Sequence, residues 1–421
     1  DAPEEDLHTA LVYNFLRLIK SGTTCSLDFF YGRPNMPYLA SELSLRAYVD
    51  TGLRASLAIA SRDQNTYMHR DDADALGRLT PEHRKAIKEN PVGYAYPLEH
   101  SLGAFEAMAK AYHGREGRIH VMLGPDWTPA CSDALLLRTK QLARDYDTTI
   151  QIHLVETKYE MLWNLKTHGK TGPRRLYDLG FLGEEVSGAH VVWPTDDDLR
   201  LLAETGTTCV NNPGSNLRLT SGISPVRDML DAGVRVALGS DGISLNDNND
   251  LFAELRLGGL LQRLPGADSG RIPSETLLRN ACHNGPAAAG FPKTGILQPG
   301  FHADIITLDK SRFYWPPEKF PTANPLDVIV DRAMGDDVRD VMINGDLVMA
   351  DSRLTKFDEE EMRRKVGEVA ARIFSVPERF VAIRPAVQEL ADQALEMYRE
   401  WDQAQIPPRY QYNVRDVPAR Y

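Results

Sequence analysis

Short apolar, β-branched runs recur along the chain at residues 23–29, 54–60, 119–124, 149–153, 188–192, 207–211 and 234–239. Between them lie stretches with helical spacing. Residues 197–204 carry Leu199, Leu201 and Leu202 at such a spacing, and residues 224–232 carry Pro225 where a first helical turn accepts it. Strands alternating with helices predict parallel pairing through right-handed βαβ units. The runs read as strands buried on both sides, and no GxGxxG follows the first of them, which favours a closed barrel over an open doubly wound sheet. The expected fold is therefore α/β, a (β/α)₈ (TIM) barrel over residues 1–290, although seven strands are legible where closure needs eight.

The texture changes near Gly290. Gly295-Ile296-Leu297-Gln298-Pro299-Gly300 leads into an apolar run at residues 303–308, and residues 338–349 carry a hairpin signal at Asn344-Gly345. Residues 291–356 thus predict a small antiparallel module, the C-terminal half of a β-sandwich, with too few strands to bury a face alone. Residues 357–374 and 384–401 read as charged amphipathic helices. The end of the chain, with Pro407, Pro408, Tyr410, Tyr412 and Tyr421, reads as extended and aromatic. Residues 357–421 form a third region of helices and tail.

Composition narrows the classes. With 48 Lys and Arg against 59 Asp and Glu, interleaved to a net charge of -11, the 421 residues carry no nucleic-acid footprint. No run of about 18 apolar residues occurs, and Asp1-Ala2-Pro3-Glu4-Glu5-Asp6 is unlike a secretion signal. Nucleic acid and membrane are not expected partners. Cys25, Cys131, Cys209 and Cys282 form no CxxC pair, which disfavours a disulfide framework and a thiolate zinc site. A cytoplasmic setting is expected.

Candidate chemistry sits where strands end. His-x-x-acid occurs three times, at His69/Asp72, His113/Glu116 and His153/Glu156, and only the last follows a strand. His190 ends a second strand and Asp241 a third. A single strand-end histidine is ordinarily a hydrogen-bonded core residue. Two imidazoles and a carboxylate from three strand ends, with a glutamate nearby, suit a divalent metal that activates water.

Gly22-Thr23-Thr24, His153-x-x-Glu156-Thr157, His190, Asn212-Pro213-x-Ser215-Asn216, Gly239-Ser240-Asp241-Gly242 and Gly300-x-His302-Ala303-Asp304 occur in this order. The ordered set resembles the amidohydrolase superfamily, and within it the chlorohydrolase and aminohydrolase branch of triazine hydrolases, guanine deaminase and methylthioadenosine/S-adenosylhomocysteine deaminases. The resemblance extends to about Leu354. It implies a metal-bearing barrel with a β-sandwich built from segments before and after it. It implies metal ligation by His153, His190 and Asp241, proton abstraction from water by Asp241, and proton transfer to the leaving group by Glu156. The implied cofactor is one divalent ion, zinc ahead of iron, absent or only partly held in this form, because the family's His-x-His, which supplies two further ligands, does not occur. The missing motif, the seven-strand count and the half sandwich agree with a sequence that begins about one βα unit and several sandwich strands late.

Substrate-binding candidates lie just beyond strand ends: Trp127, Trp193, Asn212 and Asn216, with Asp126 and the polar run 244–250 beside them. The tryptophans could stack on a planar ring and the amides read its polar edge, against the plainer roles of rim packing and turn formation. The expected function is metal-dependent hydrolytic deamination of a small nitrogen heterocycle. The alternatives are a triazine-type dechlorinating or dealkylaminating hydrolase, and a non-catalytic, metal-free barrel serving binding or assembly. A homo-oligomer is expected by resemblance.

Overall fold

The computed structural model describes residues 3–31, 37–90, 98–242, 249–263, 270–314, 324–373, 378–402, 410–411 and 414–415. Seven parallel strands pair in chain order: β1 (Cys25–Phe30), β2 (Arg54–Ser61), β3 (Ile119–Pro125), β4 (Ile150–Leu154), β5 (Val186–His190), β6 (Thr208–Asn211) and β7 (Val236–Leu238). Every residue of β2 and β3 is buried, as both faces are covered, whereas β1 is half-buried throughout. Among the described residues β1 and β7 are the two edges of this sheet. The observed architecture is an α/β barrel-type parallel sheet with a separate antiparallel sheet. Among these residues no helix is long and apolar enough to cross a membrane.

The second sheet contains β8 (Ile305–Leu308), β9 (Val338–Ile343), β10 (Asp346–Ala350) and β11 (Arg353–Leu354), in the order β11-β10-β9-β8. Asn344 and Gly345 turn from β9 to β10 with φ of 53° and 89°, the two left-handed positions that a type I′ hairpin needs. This sheet is packed against the rest of the chain. Val341, Ile343, Val348 and Met349 belong to the main core, and the helix Glu4–Lys20 packs on β9 and β10. That helix buries Val12, Phe15, Leu16 and Ile19, a 3.6-residue stripe present in the sequence and missed there. A fully buried bidentate pair, Arg54 donating to both oxygens of Asp304 at 2.8 Å, locks the two sheets together.

The last helices occupy Glu359–Ile373 and Glu378–Trp401. The second starts six residues before its expected position and runs through Pro385. Packing outweighs the proline: Ala386 and Leu390 are buried with Met68, Ala75, Leu79 and Ile87 in a small core of their own. Pro225 precedes its helix as the N-cap and does not occupy the first turn. In the tail Tyr410–Gln411 pairs with Val414–Arg415, while Pro407, Pro408, Tyr412 and Tyr421 lie outside the described residues, as do positions 244–248 of the polar run.

Candidate active site

The register of the parallel sheet brings the expected side chains to one end. Leu154 of β4 pairs with His190 of β5, and beyond β3 a bridge sets Trp127 beside His153. Backbone geometry then aims them. Val155, His190, Val191 and Asp241 all have positive φ, at 42°, 73°, 44° and 61°. Two of these are valines, for which the left-handed region is costly, so strain gathers where strands give way to site loops. Gly239 allows the Asn212 side chain to lie close: a Cβ there would stand 2.3 Å from Asn212 Oδ1.

The structure brings His153, His190, Glu156 and Asp241 together. The two imidazoles lie nearly parallel, 16° apart, with ring centres separated by 5.5 Å. His190 Nε2 faces Glu156 Oε2 at 3.8 Å and Asp241 Oδ2 at 3.9 Å. His153 Nδ1 donates to the Asp126 carbonyl at 2.7 Å, and His190 Nδ1 contacts Asn216 Oδ1 at 2.8 Å. With acceptors at both Nδ1 atoms, each ring carries its proton there and presents Nε2 as a lone pair. Two such nitrogens and a carboxylate fit a nitrogen- and oxygen-binding divalent cation. Among the described residues, however, no group of three or more His, Cys, Asp or Glu stands in an arrangement that could itself hold a metal ion.

Each carboxylate is oriented separately. Asp241 Oδ2 accepts Ser215 Oγ at 2.5 Å, and Oδ1 accepts the Gly242 amide at 2.7 Å. Glu156 Oε1 accepts Ser221 Oγ at 3.2 Å. Both side chains keep about a fifth of their surface exposed, so solvent reaches them. One acid beside the imidazoles and another held off by a separate hydroxyl can divide proton abstraction from proton donation.

The other candidates occupy varied places. Asn216 is taken up by His190, and Asn212 stands before the helix Pro213–Arg218 as its N-cap. Trp193 Nε1 donates to the Ser221 carbonyl at 2.7 Å, which seats the hydroxyl that holds Glu156. Trp127, half-buried, meets His69 edge-on with ring centres 4.4 Å apart. His69 lies between Trp127, Tyr398 and Trp401, bonds Tyr398 Oη at 2.7 Å, and has its pKa lowered to about 3 by burial. Asp126 is buried at 2% exposure, paired with Arg62, and accepts Tyr31 Oη at 2.5 Å.

Four residues that orient the site escaped the sequence reading as site residues. Ser215 lies in the helix Pro213–Arg218, inside the Asn212-Pro213-x-Ser215-Asn216 motif but without an assigned role, and Ser221 is a short polar loop residue with no signal of its own. Arg62 follows β2 by one residue and could have been found by inspecting strand ends for charge. Glu160, wholly buried behind Glu156, has its carboxyl pKa raised to about 7 by desolvation.

Comparisons with known proteins show the family of the chain. The amidohydrolase family model matches residues 2–348. The 5'-deoxyadenosine deaminase of Methanosarcina mazei is 32% identical over 376 residues, covering 88% of this chain and 78% of that protein. The 5-methylthioadenosine/S-adenosylhomocysteine deaminase of Halothermothrix orenii is 32% identical over 370 residues, covering 87% and 76%. Among solved structures, an adenosine deaminase from Xanthomonas campestris with bound zinc superposes with a TM-score of 0.74 at 23% identity, over 89% of this chain and 77% of that one. With its family model spanning the strands that carry His153, His190 and Asp241, this chain belongs to the amidohydrolase family.

Proposed function

We propose that the chain is a metal-dependent hydrolase that removes the exocyclic amino group of a nitrogen heterocycle, an adenine-type nucleoside being the substrate class. The observation that carries this reading is His190 Nε2 facing the Glu156 and Asp241 carboxylates at 3.8 and 3.9 Å. The substrate class is supported by relatives named as deaminases of adenosine derivatives.

His153, His190 and Asp241 would hold the ion. When bound, a divalent cation supplies the positive charge that lets water lose a proton near neutral pH. Asp241, fixed by Ser215, orients the attacking water and takes its proton. Glu156, held by Ser221, delivers a proton to the departing nitrogen. Water adds its oxygen to the ring carbon, the carbon–nitrogen bond breaks, and ammonia leaves with the proton that the two carboxyl groups relay. Asp126 and Asn216 keep the imidazoles in the ligating tautomer. Trp127 and Asn212 are placed by this reading along the substrate path.

The proposal includes an eighth barrel strand seated between β1 and β7 and carrying further metal donors. The two sheet edges support it. A reducing, cytoplasmic setting is supported by four free thiols. The test is a zinc-loaded assay on adenosine, 5'-deoxyadenosine and a chlorotriazine. Ammonia release from the nucleosides is the expected result. Chloride release from the triazine alone would replace deamination with dehalogenation.

A further inference from the structure

Glu160 follows Glu156 by four residues and is fully buried. It stands at the third position of the helix Lys158–His168, whose N-cap is Thr157, so the sequence has the form of a capping box. In a capping box the glutamate would return to the amide of the N-cap residue. Here it reaches one residue further: Oε2 accepts the Glu156 amide at 2.9 Å, and Oε1 accepts Thr128 Oγ1 at 2.8 Å. Asn164 Nδ2 donates to the same hydroxyl at 2.7 Å, which leaves the Thr128 proton directed at Glu160.

The bond matters because of the residue before it. Val155, with φ of 42°, is a β-branched residue in the left-handed region immediately after β4. The peptide joining Val155 to Glu156 is gripped from both sides. Its carbonyl accepts the Val192 and Trp193 amides at 3.1 and 2.9 Å, and its amide is taken by Glu160. Without the second grip only the carbonyl bonds hold this strained peptide, and its tilt, which sets the direction of the Glu156 side chain, is less well fixed.

We propose that Glu160 is a positioning residue for the hydrolytic reaction: it holds the strained Val155–Glu156 peptide so that the Glu156 carboxyl stays beside His190 Nε2. The inference rests on the reading of Glu156 as the group that moves the proton. Burying a carboxyl group is expensive, and desolvation raises its pKa to about 7, so a helix cap alone is a poor reason for it. Two donors from two different loops are a better one.

The test uses the zinc-loaded protein, with adenosine as the probe, and three substitutions. Glu160→Met removes the acceptor at similar length. Its kcat is expected to fall roughly 10- to 100-fold, as for a displaced catalytic group. KM is expected to stay within about threefold and zinc content to be unchanged. Glu160→Gln keeps an acceptor oxygen and should recover most of the lost kcat. If Glu160→Met does not fold, Glu160→Asp, whose acceptor falls one methylene short, should show the same split between kcat and KM.

A second readout, hydrogen exchange at the Glu156 amide, is independent of turnover: fast in Glu160→Met or Glu160→Asp, slow in the parent. A parent that releases no ammonia from adenosine would count against the deaminase reading, and amide exchange would then decide the role of Glu160. Unchanged kcat per bound zinc, a rise in KM with kcat held, or an equally protected Glu156 amide in the variant would each overturn the inference.

Discussion

The site depends on which nitrogen of each histidine is free. The Asp126 carbonyl and the Asn216 amide oxygen occupy the two Nδ1 atoms, so both rings offer Nε2. Asn216→Leu removes one of these partners without touching a donor atom. Zinc affinity should weaken by about 10- to 100-fold, measured by competition with a chelator, while the fold is retained. Glu156→Gln tests the opposite division of labour. Zinc should remain bound and kcat should fall by about 10² or more, since the substitution removes a proton donor and leaves the metal donors in place. Near-normal turnover in the Gln variant would reassign proton transfer to another group.

At the scale of elements, the helix Glu378–Trp401 is tied to the strand-end side of the parallel sheet. Tyr398 and Trp401 close around His69, Asp402 just beyond the helix bonds Lys158 and Tyr159, and Glu389 pairs with His83. His69 gives this docking a pH signature. Its pKa is lowered from 6.5 to about 3 in the fold, so between those values the unfolded chain binds the extra proton. The associated stability is fully present above 6.5 and is lost as pH falls through that window, by about 1.4 kcal/mol per pH unit. A His69→Phe variant keeps the ring and loses the proton. Its melting temperature should depend less steeply on acid pH than the parent's, in thermal scans across the window.

The seven parallel strands were legible in the sequence to within two residues at each end, because buried parallel strands are continuous apolar runs. The Asn344-Gly345 turn was equally legible, since few other pairs accept two left-handed positions. The left-handed conformations of Val155 and Val191 were not, for nothing in a valine announces strain that distant partners impose. Nor was the Ser221 contact with Glu156, which joins residues 65 positions apart.

At the scale of the molecule, one buried ion pair ties the parallel sheet to the antiparallel one. Arg54, at the start of β2, is inaccessible to solvent and bonds Asp304, the Gly117 carbonyl and Asn344. Breaking such a pair from one side strands a charge. Arg54→Met should cost about 3–5 kcal/mol in chemical denaturation, and adding Asp304→Leu should return most of that loss. A double variant no better than the single would show that the guanidinium acts through the Gly117 and Asn344 contacts.

The central claim is that the ends of β4, β5 and β7 hold a metal ion beside Glu156. Anomalous X-ray diffraction at the zinc edge, on crystals of the purified protein grown with zinc, tests it most directly. The account predicts one peak within roughly 2.0–2.2 Å of His153 Nε2, His190 Nε2 and an Asp241 oxygen. A protein that releases ammonia from adenosine while its zinc peak lies away from these three residues would contradict it.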